Sequence, residues 1–443
     1  MPGRSVGLAL LICGCGGVSD SHTGDVSDTL DRVMPAVEPP PPALRRLTRE
    51  QYDGAIVQLL GEGLVLPSNL EPDETTDGLV AIGSSLTTIS PRGVEQYEAA
   101  AFDLVGQALA NDDRVDEIVP CEPDDVADPA CMETALQAFA AQAWRRPPDA
   151  DELSVLVSLS EQAALVVGDF YGGLQYGLSA VLQSPNFLFR VELGEADPSG
   201  DGRRFTDHEM ASRLSFLLWN TLPDQELMDA ADAAELTTNE GLEVQVDRMM
   251  ADPRFEDGVR AFFTDMWTLY ELDELTKDPT IFTHMSPEVG ASAKEETLLG
   301  VVENIIHEDG DYRDVFTTTR TFLDRKLASI YSVRAPARDG FGVAELDETS
   351  GRRGVLGHVS FLALQSHAVN SSATLRGKFV REVVLCQYIP PPPSDVDTSI
   401  PEATATAVTL RERVAMHLED PFCASCHQLV DPIGLGFEQF DGL

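Results

Sequence analysis

Positive charge is scarce in this 443-residue chain: 31 Lys and Arg stand against 74 Asp and Glu, for a formal net charge of −43. A surface of that sign repels phosphate backbones and anionic lipid heads, so nucleic acid is excluded as a partner. Long hydrophobic runs are also missing. Beyond the N-terminus no stretch offers the roughly 18 uninterrupted apolar residues of a membrane span, and strand-type alternation is scarce throughout. What is present is ample core material: 43% hydrophobic residues in a length that suggests about three domains. The acidity reads first as a well-solvated surface and second as an attraction for a basic redox partner.

The N-terminus carries Arg4, the apolar run Val6 to Cys13 and then Gly14-Cys15-Gly16-Gly17. Residues 1–17 thus have the layout of an export signal, and Ile12-Cys13-Gly14-Cys15 resembles a lipobox with Cys15 as the lipidated residue. The alternative is an ordinary export signal with incidental cysteines. Either way the chain is expected outside the cytoplasm, as a periplasmic or cell-surface lipoprotein or a secreted protein, touching the membrane only through a lipid anchor. In such an oxidising compartment Cys121 and Cys131, close in sequence and flanked by acidic turn residues, are expected to form a local disulfide. Cys386 is left over, either a buried apolar thiol or a partner for something beyond this chain.

Residues 18–43 form a Pro- and Asp-rich linker ending in Pro39 to Pro42. Thr48-Arg49-Glu50-Gln51 is a capping box ahead of Tyr52, Ile56, Leu59 and Leu60, with Gly61 as a stop, and Ser90-Pro91 opens a second helix. These fall in a first helical domain, 44–110. A second spans 131–195, with Pro147 and Pro148 breaking its first helix. A third, 204–333, opens on the capping box Thr206-Asp207-His208-Glu209, and Asp224 is placed to cap its next helix. A last module covers 351–443. The fold class is therefore mostly α, consecutive helical modules joined by long connections.

The last module contains Cys423-Ala424-Ser425-Cys426-His427, the C-x-x-C-H arrangement that attaches a c-type haem. Two thiols three positions apart on one helical turn meet the two vinyl groups, and the imidazole of the next residue reaches the iron. The cofactor expected is one covalent haem c, with Cys423 and Cys426 as attachment thiols and His427 as proximal iron ligand. From Gln428 to Leu443 there is no Met, His or Lys. The sixth position then falls to Met416 or His417, to His358 or His367, to residues beyond Leu443, or to none. The segment Asp431-Pro432-Ile433-Gly434 reads as a hydrophobic turn walling one haem edge. Two rivals stand beside haem. Cys386, Cys423, Cys426 and His427 supply a four-ligand zinc set, and a Cys423–Cys426 disulfide would fit a non-redox surface binding or scaffold protein.

Several strings carry a resemblance. Leu44-Arg45-Arg46-Leu47-Thr48-Arg49-Glu50-Gln51-Tyr52, Ala143-Trp144-Arg145-Arg146-Pro147, Ala211 to Asn220 with Pro223-Asp224, Arg248-Met249-Met250 before Asp252-Pro253-Arg254, and the tail with Arg411-Glu412-Arg413, the C-x-x-C-H, Asp431 to Gly434, Phe437-Glu438 and Phe440-Asp441 resemble a planctomycete-type secreted family built from domains of unknown function 1587, 1595, 1592 and 1588. The resemblance covers nearly everything from Leu44 onward. It implies a secreted component with a C-terminal cytochrome c-like module, serving electron transfer or a haem-based oxidoreductase with an unidentified redox partner protein. Whether the chain is itself an enzyme is left open. Such proteins usually continue past the Glu-x-Phe-Asp segment, so the resemblance also implies that the chain stops short.

Overall fold

Side-chain caps set the helix starts, and they lie where the local sequence puts them. In the computed structural model, which describes residues 42–198, 200, 202–390, 409–417 and 421–443, Thr48 accepts from the Gln51 backbone N–H while the Gln51 side chain returns to Thr48 N. The helix it opens, α1 (Arg49–Leu60), ends at Gly61, whose φ of 88° favours glycine. Thr206 and Glu209 make the same reciprocal pair. The chain divides into two units, one within Pro35–Thr268 and one containing Leu269–Leu443.

In the first unit, β1 (Ala43–Arg46) pairs antiparallel with β2 (Phe189–Glu192), Ala43 opposite Glu192. Between them run α2 (Pro91–Leu109), α3 (Pro129–Trp144), α4 (Ala150–Val167) and α5 (Phe170–Gln183). Their apolar faces meet in a core containing Ile56, Leu104, Met132, Leu136, Leu174 and Leu178, all fully buried. The helix α3 ends on Arg145 in the left-handed region, φ 59°. Its buried guanidinium donates to the carbonyls of Asn186 (2.6 Å), Phe189 (2.7 Å) and Ala143 (2.9 Å), so one side chain satisfies the carbonyls where helix becomes strand. Cys121 and Cys131 form a disulfide, Cα–Cα 5.8 Å, ahead of and inside the start of α3.

The unit continues with α6 (Asp207–Leu218), α7 (Gln225–Asp232), α8 (Asn239–Ala251) and α9 (Phe255–Met266). Trp219 is their pin. Its indole N–H donates to the Met249 carbonyl at 3.0 Å, and the Arg254 guanidinium sits 3.5 Å from its ring centroid. Asp224, the N-cap of α7, accepts from Arg248 and Arg254 together, at 2.8 and 2.9 Å. One carboxylate thereby caps one helix and fixes the two cations that cover the indole.

The second unit carries α10 (Val289–Val302), a ladder of β3 (Arg320–Leu323) with β4 (Gly342–Glu345) flanking α11 (Arg325–Ile330), then α12 (Val359–Leu364), α13 (Ala373–Phe379), α14 (Leu410–His417) and α15 (Pro421–Gly434). The molecule is mostly α, with small two-stranded ladders among the described residues. No described helix is long and apolar enough to cross a membrane. The division between units falls at Thr268–Leu269, inside the stretch 204–333. The cause is packing: α10 lies against β3, α11 and α12, so this later half shares its core with the C-terminal module. Asp431 to Gly434, expected as a turn, is the last turn of α15 with Pro432 inside the helix. Proline there removes one helical donor to the Gln428 carbonyl, yet its fixed φ suits helix and the turn continues.

Candidate functional site

Helix α15 carries the C-x-x-C-H. Positions i, i+3 and i+4 of a helix share a face, which puts Cys423, Cys426 and His427 side by side at intermediate exposure. The helix is rooted in the unit through Ala424 and, one turn beyond the motif, through Val430 and Asp431, all buried. Below them α13 crosses at backbone contact. A Cβ on Gly377 would lie 1.9 Å from the Val430 carbonyl oxygen, and one on Gly434 would lie 1.7 Å from that of Ala373. Ile433, Phe437 and Phe440 then pack on the Phe361–Leu362–Val380 cluster. Ile433 thus serves the core of the unit.

His427 is held by its own helix. Nδ1 lies 2.8 Å from Asp431 Oδ2, four residues on, and the other carboxylate oxygen accepts from Thr374 Oγ1 of α13, also at 2.8 Å. Asp431 is 1% exposed. A carboxylate acceptor puts the ring proton on Nδ1, so Nε2 is the nitrogen with a lone pair for a metal.

These residues fit a c-type haem on the chemistry of the donor set. Cys423 and Cys426 are not disulfide-bonded, in contrast to Cys121 and Cys131. Nor do they converge with His427 as a zinc tetrahedron requires: among the described residues no three His, Cys, Asp or Glu form a group able to hold an ion. Thioether attachment asks only that the two thiols and the imidazole share a face. Cys386 is exposed, at a left-handed φ of 51°, and does not complete a four-ligand set. Of the sixth-ligand candidates, His367 is exposed and His358 is buried in a separate hydrogen-bonded network. The side chains of Met416 and His417, and the whole of Cys15, lie outside the described residues.

That separate network is one the sequence reading missed. Glu296 on α10 is fully buried, and its Oε1 accepts from Tyr331 OH at 2.6 Å and Thr321 Oγ1 at 2.7 Å, while Oε2 has no hydrogen-bond partner. Burial pushes its carboxyl up to about 7 despite those two donors. His358 lies opposite, Nε2 3.9 Å from Glu296 Oε1 and Nδ1 3.3 Å from Thr297 Oγ1. Burial, with Arg352 nearby, pushes it down to about 3. Burial disfavours the charge on both groups, and 3.9 Å is beyond hydrogen-bond reach, so the pair is not held as a salt bridge. A cavity of about 420 Å³ lined by His358, Thr297, Asn304 and Arg320 adjoins it. The sequence signals it only at His358, which sits in the apolar run from Val355 to Leu364; Glu296 follows Lys294 and Glu295 and reads as a surface residue.

A mostly helical chain that ends in a helix-borne C-x-x-C-H defines the class. Four family models match it in succession: PSD3, a protein of unknown function (DUF1587), over residues 45–110; PSD5 (DUF1595) over 131–192; PSD4 (DUF1592) over 205–333; and PSCyt3 (DUF1588) over 352–443. The chain belongs to the family built from these four domains of unknown function, and its C-terminal domain is the one whose model name points to a cytochrome-like module. No curated protein and no solved structure shows significant similarity to it.

Proposed function

We propose that the chain is an extracytoplasmic cytochrome c-like protein in which Cys423 and Cys426 attach one haem c and His427 is its proximal ligand through Nε2. The observation that carries this reading is the shared helical face of two unbonded thiols and an imidazole already fixed at Nδ1. Each thiol adds across one vinyl group, the sulfur bonding to carbon and the thiol hydrogen going to the other vinyl carbon, so attachment needs no external oxidant. Bound there, the haem supplies one-electron chemistry. The buried faces of α13 and α15 hold the attachment residues in register and exclude water from the Asp431 side of the ring.

The Cys121–Cys131 disulfide supports an oxidising compartment, and Cys15 is the proposed lipid-bearing residue. The redox partner is a protein met at this acidic surface. Expression with haem c maturation machinery, followed by intact mass and a pyridine haemochrome spectrum, tests the reading. Wild type should gain the mass of one haem, and the Cys423→Ala/Cys426→Ala double variant should lose covalent haem while keeping its helical content. A mature wild type without haem mass, two hydrogen atoms lighter at Cys423 and Cys426, favours the disulfide-bonded binding or scaffold protein instead.

A further inference from the structure

We infer that Asp431 is a positioning residue that gives the proximal imidazole anionic character and holds the iron at low potential. The inference rests on the haem reading above and adds the tuning of that same site.

A ligating histidine donates its second ring N–H to something, and the charge of that acceptor is a lever on the metal. A backbone carbonyl or water leaves the imidazole neutral. A carboxylate draws the Nδ1 proton toward itself, which makes Nε2 a stronger donor to iron. A stronger donor stabilises the ferric state over the ferrous one, so the reduction potential falls.

Here the acceptor is a carboxylate, at 2.8 Å from Nδ1. It is not a mobile surface group that happens to lie nearby. Asp431 is buried, and its second oxygen is bound by Thr374 from a different helix. That helix cannot drift, because α13 and α15 touch backbone to backbone at Gly377 and Gly434. The carboxylate is thus fixed by two helices and aimed at one ring nitrogen. Thr374 has a second effect. Its hydroxyl shares the negative charge, so it moderates the pull of Asp431 on the imidazole.

The test is made on the haem-loaded full chain, with the reduction potential read by redox titration of its visible spectrum. Asp431→Asn keeps an oxygen for the Nδ1–H and removes the charge, so the potential should rise while covalent haem is retained. Asp431→Glu, which keeps the charge, should stay nearer wild type than Asp431→Asn does. Thr374→Val touches no atom bonded to His427 and leaves the carboxylate charge unshared, so the potential should fall below wild type. Thr374→Val decides the matter where Asp431→Asn does not fold. Unchanged potentials in haem-loaded variants overturn this inference alone. A wild type that carries no haem overturns both it and the reading it rests on.

Discussion

Glu296 and His358 show what one buried pair does to stability. The Glu296 carboxyl titrates at about 7 in the fold and near 4.5 in the unfolded chain, so between those values the folded state holds a proton that the unfolded state has released. Stability therefore falls as pH rises from about 4.5 to 7, by on the order of 3 kcal/mol for a shift of this size. His358 acts in the opposite sense. It stays neutral down to about 3, while the unfolded chain takes up the proton near 6.5, so its contribution is full above 6.5 and is lost as pH falls. From 4.5 to 6.5 the two slopes oppose each other. Replacing Glu296 by Gln keeps an oxygen for Tyr331 and Thr321 and removes the titration. The difference in denaturant midpoint between Glu296→Gln and wild type should grow in favour of the variant from pH 4.5 to pH 7. A difference that stays constant across that range would show that Glu296 does not hold its proton in the fold.

At the scale of elements, the contact between α13 and α15 is the one on which the site depends. Ala at Gly377 or Gly434 would put a methyl group inside the van der Waals radius of a backbone carbonyl, and neither carbonyl can move without its helix. Each substitution should cost about 1–3 kcal/mol or more, and each should lengthen the Thr374–Asp431 bond that steadies His427. Gly436→Ala is the control, since nothing lies within 4 Å of a Cβ there. Thermal melts of the three variants check this: losses at 377 and 434 equal to that at 436 would mean the helices have room to part. The helix starts were legible in the sequence because a capping box is complete within four residues, as at Thr48 and Thr206. The end of α15 was not, because Pro432 followed by glycine looks like a turn, and only the carbonyl of Ala373, 61 positions before Gly434 in the chain, shows that glycine is needed there to admit a neighbouring helix. The attachment residues were legible because their chemistry is local. Asp431 as a partner of His427 was within reach by its i,i+4 spacing, but its anchorage on Thr374 was not. The Glu296 network draws on residues from 296 to 360, beyond any local pattern.

Over the whole molecule, recognisable strings of the first unit act as structural devices. Arg145 stitches carbonyls at a helix-to-strand junction, and Trp219 with Asp224, Arg248 and Arg254 pins four helices. Cys423, Cys426 and His427 lie in the other unit, which has its own apolar cluster around Phe361 and Leu362. Separate cores imply separate responses to a local insult. The Cys121–Cys131 bridge closes a loop of sequence separation 10 within the first unit, and opening it should cost about 2–3 kcal/mol there through the entropy returned to the unfolded chain. Cys121→Ser/Cys131→Ser should therefore lower the temperature at which Trp144 and Trp219 become solvent-exposed while leaving the unfolding of α13 and α15 near its wild-type temperature, as read by hydrogen exchange at 373–379 and 421–434. A single transition that drops as one at all probes would mean that the two units unfold cooperatively, and that the disulfide stabilises the attachment site as well as the domain that contains it.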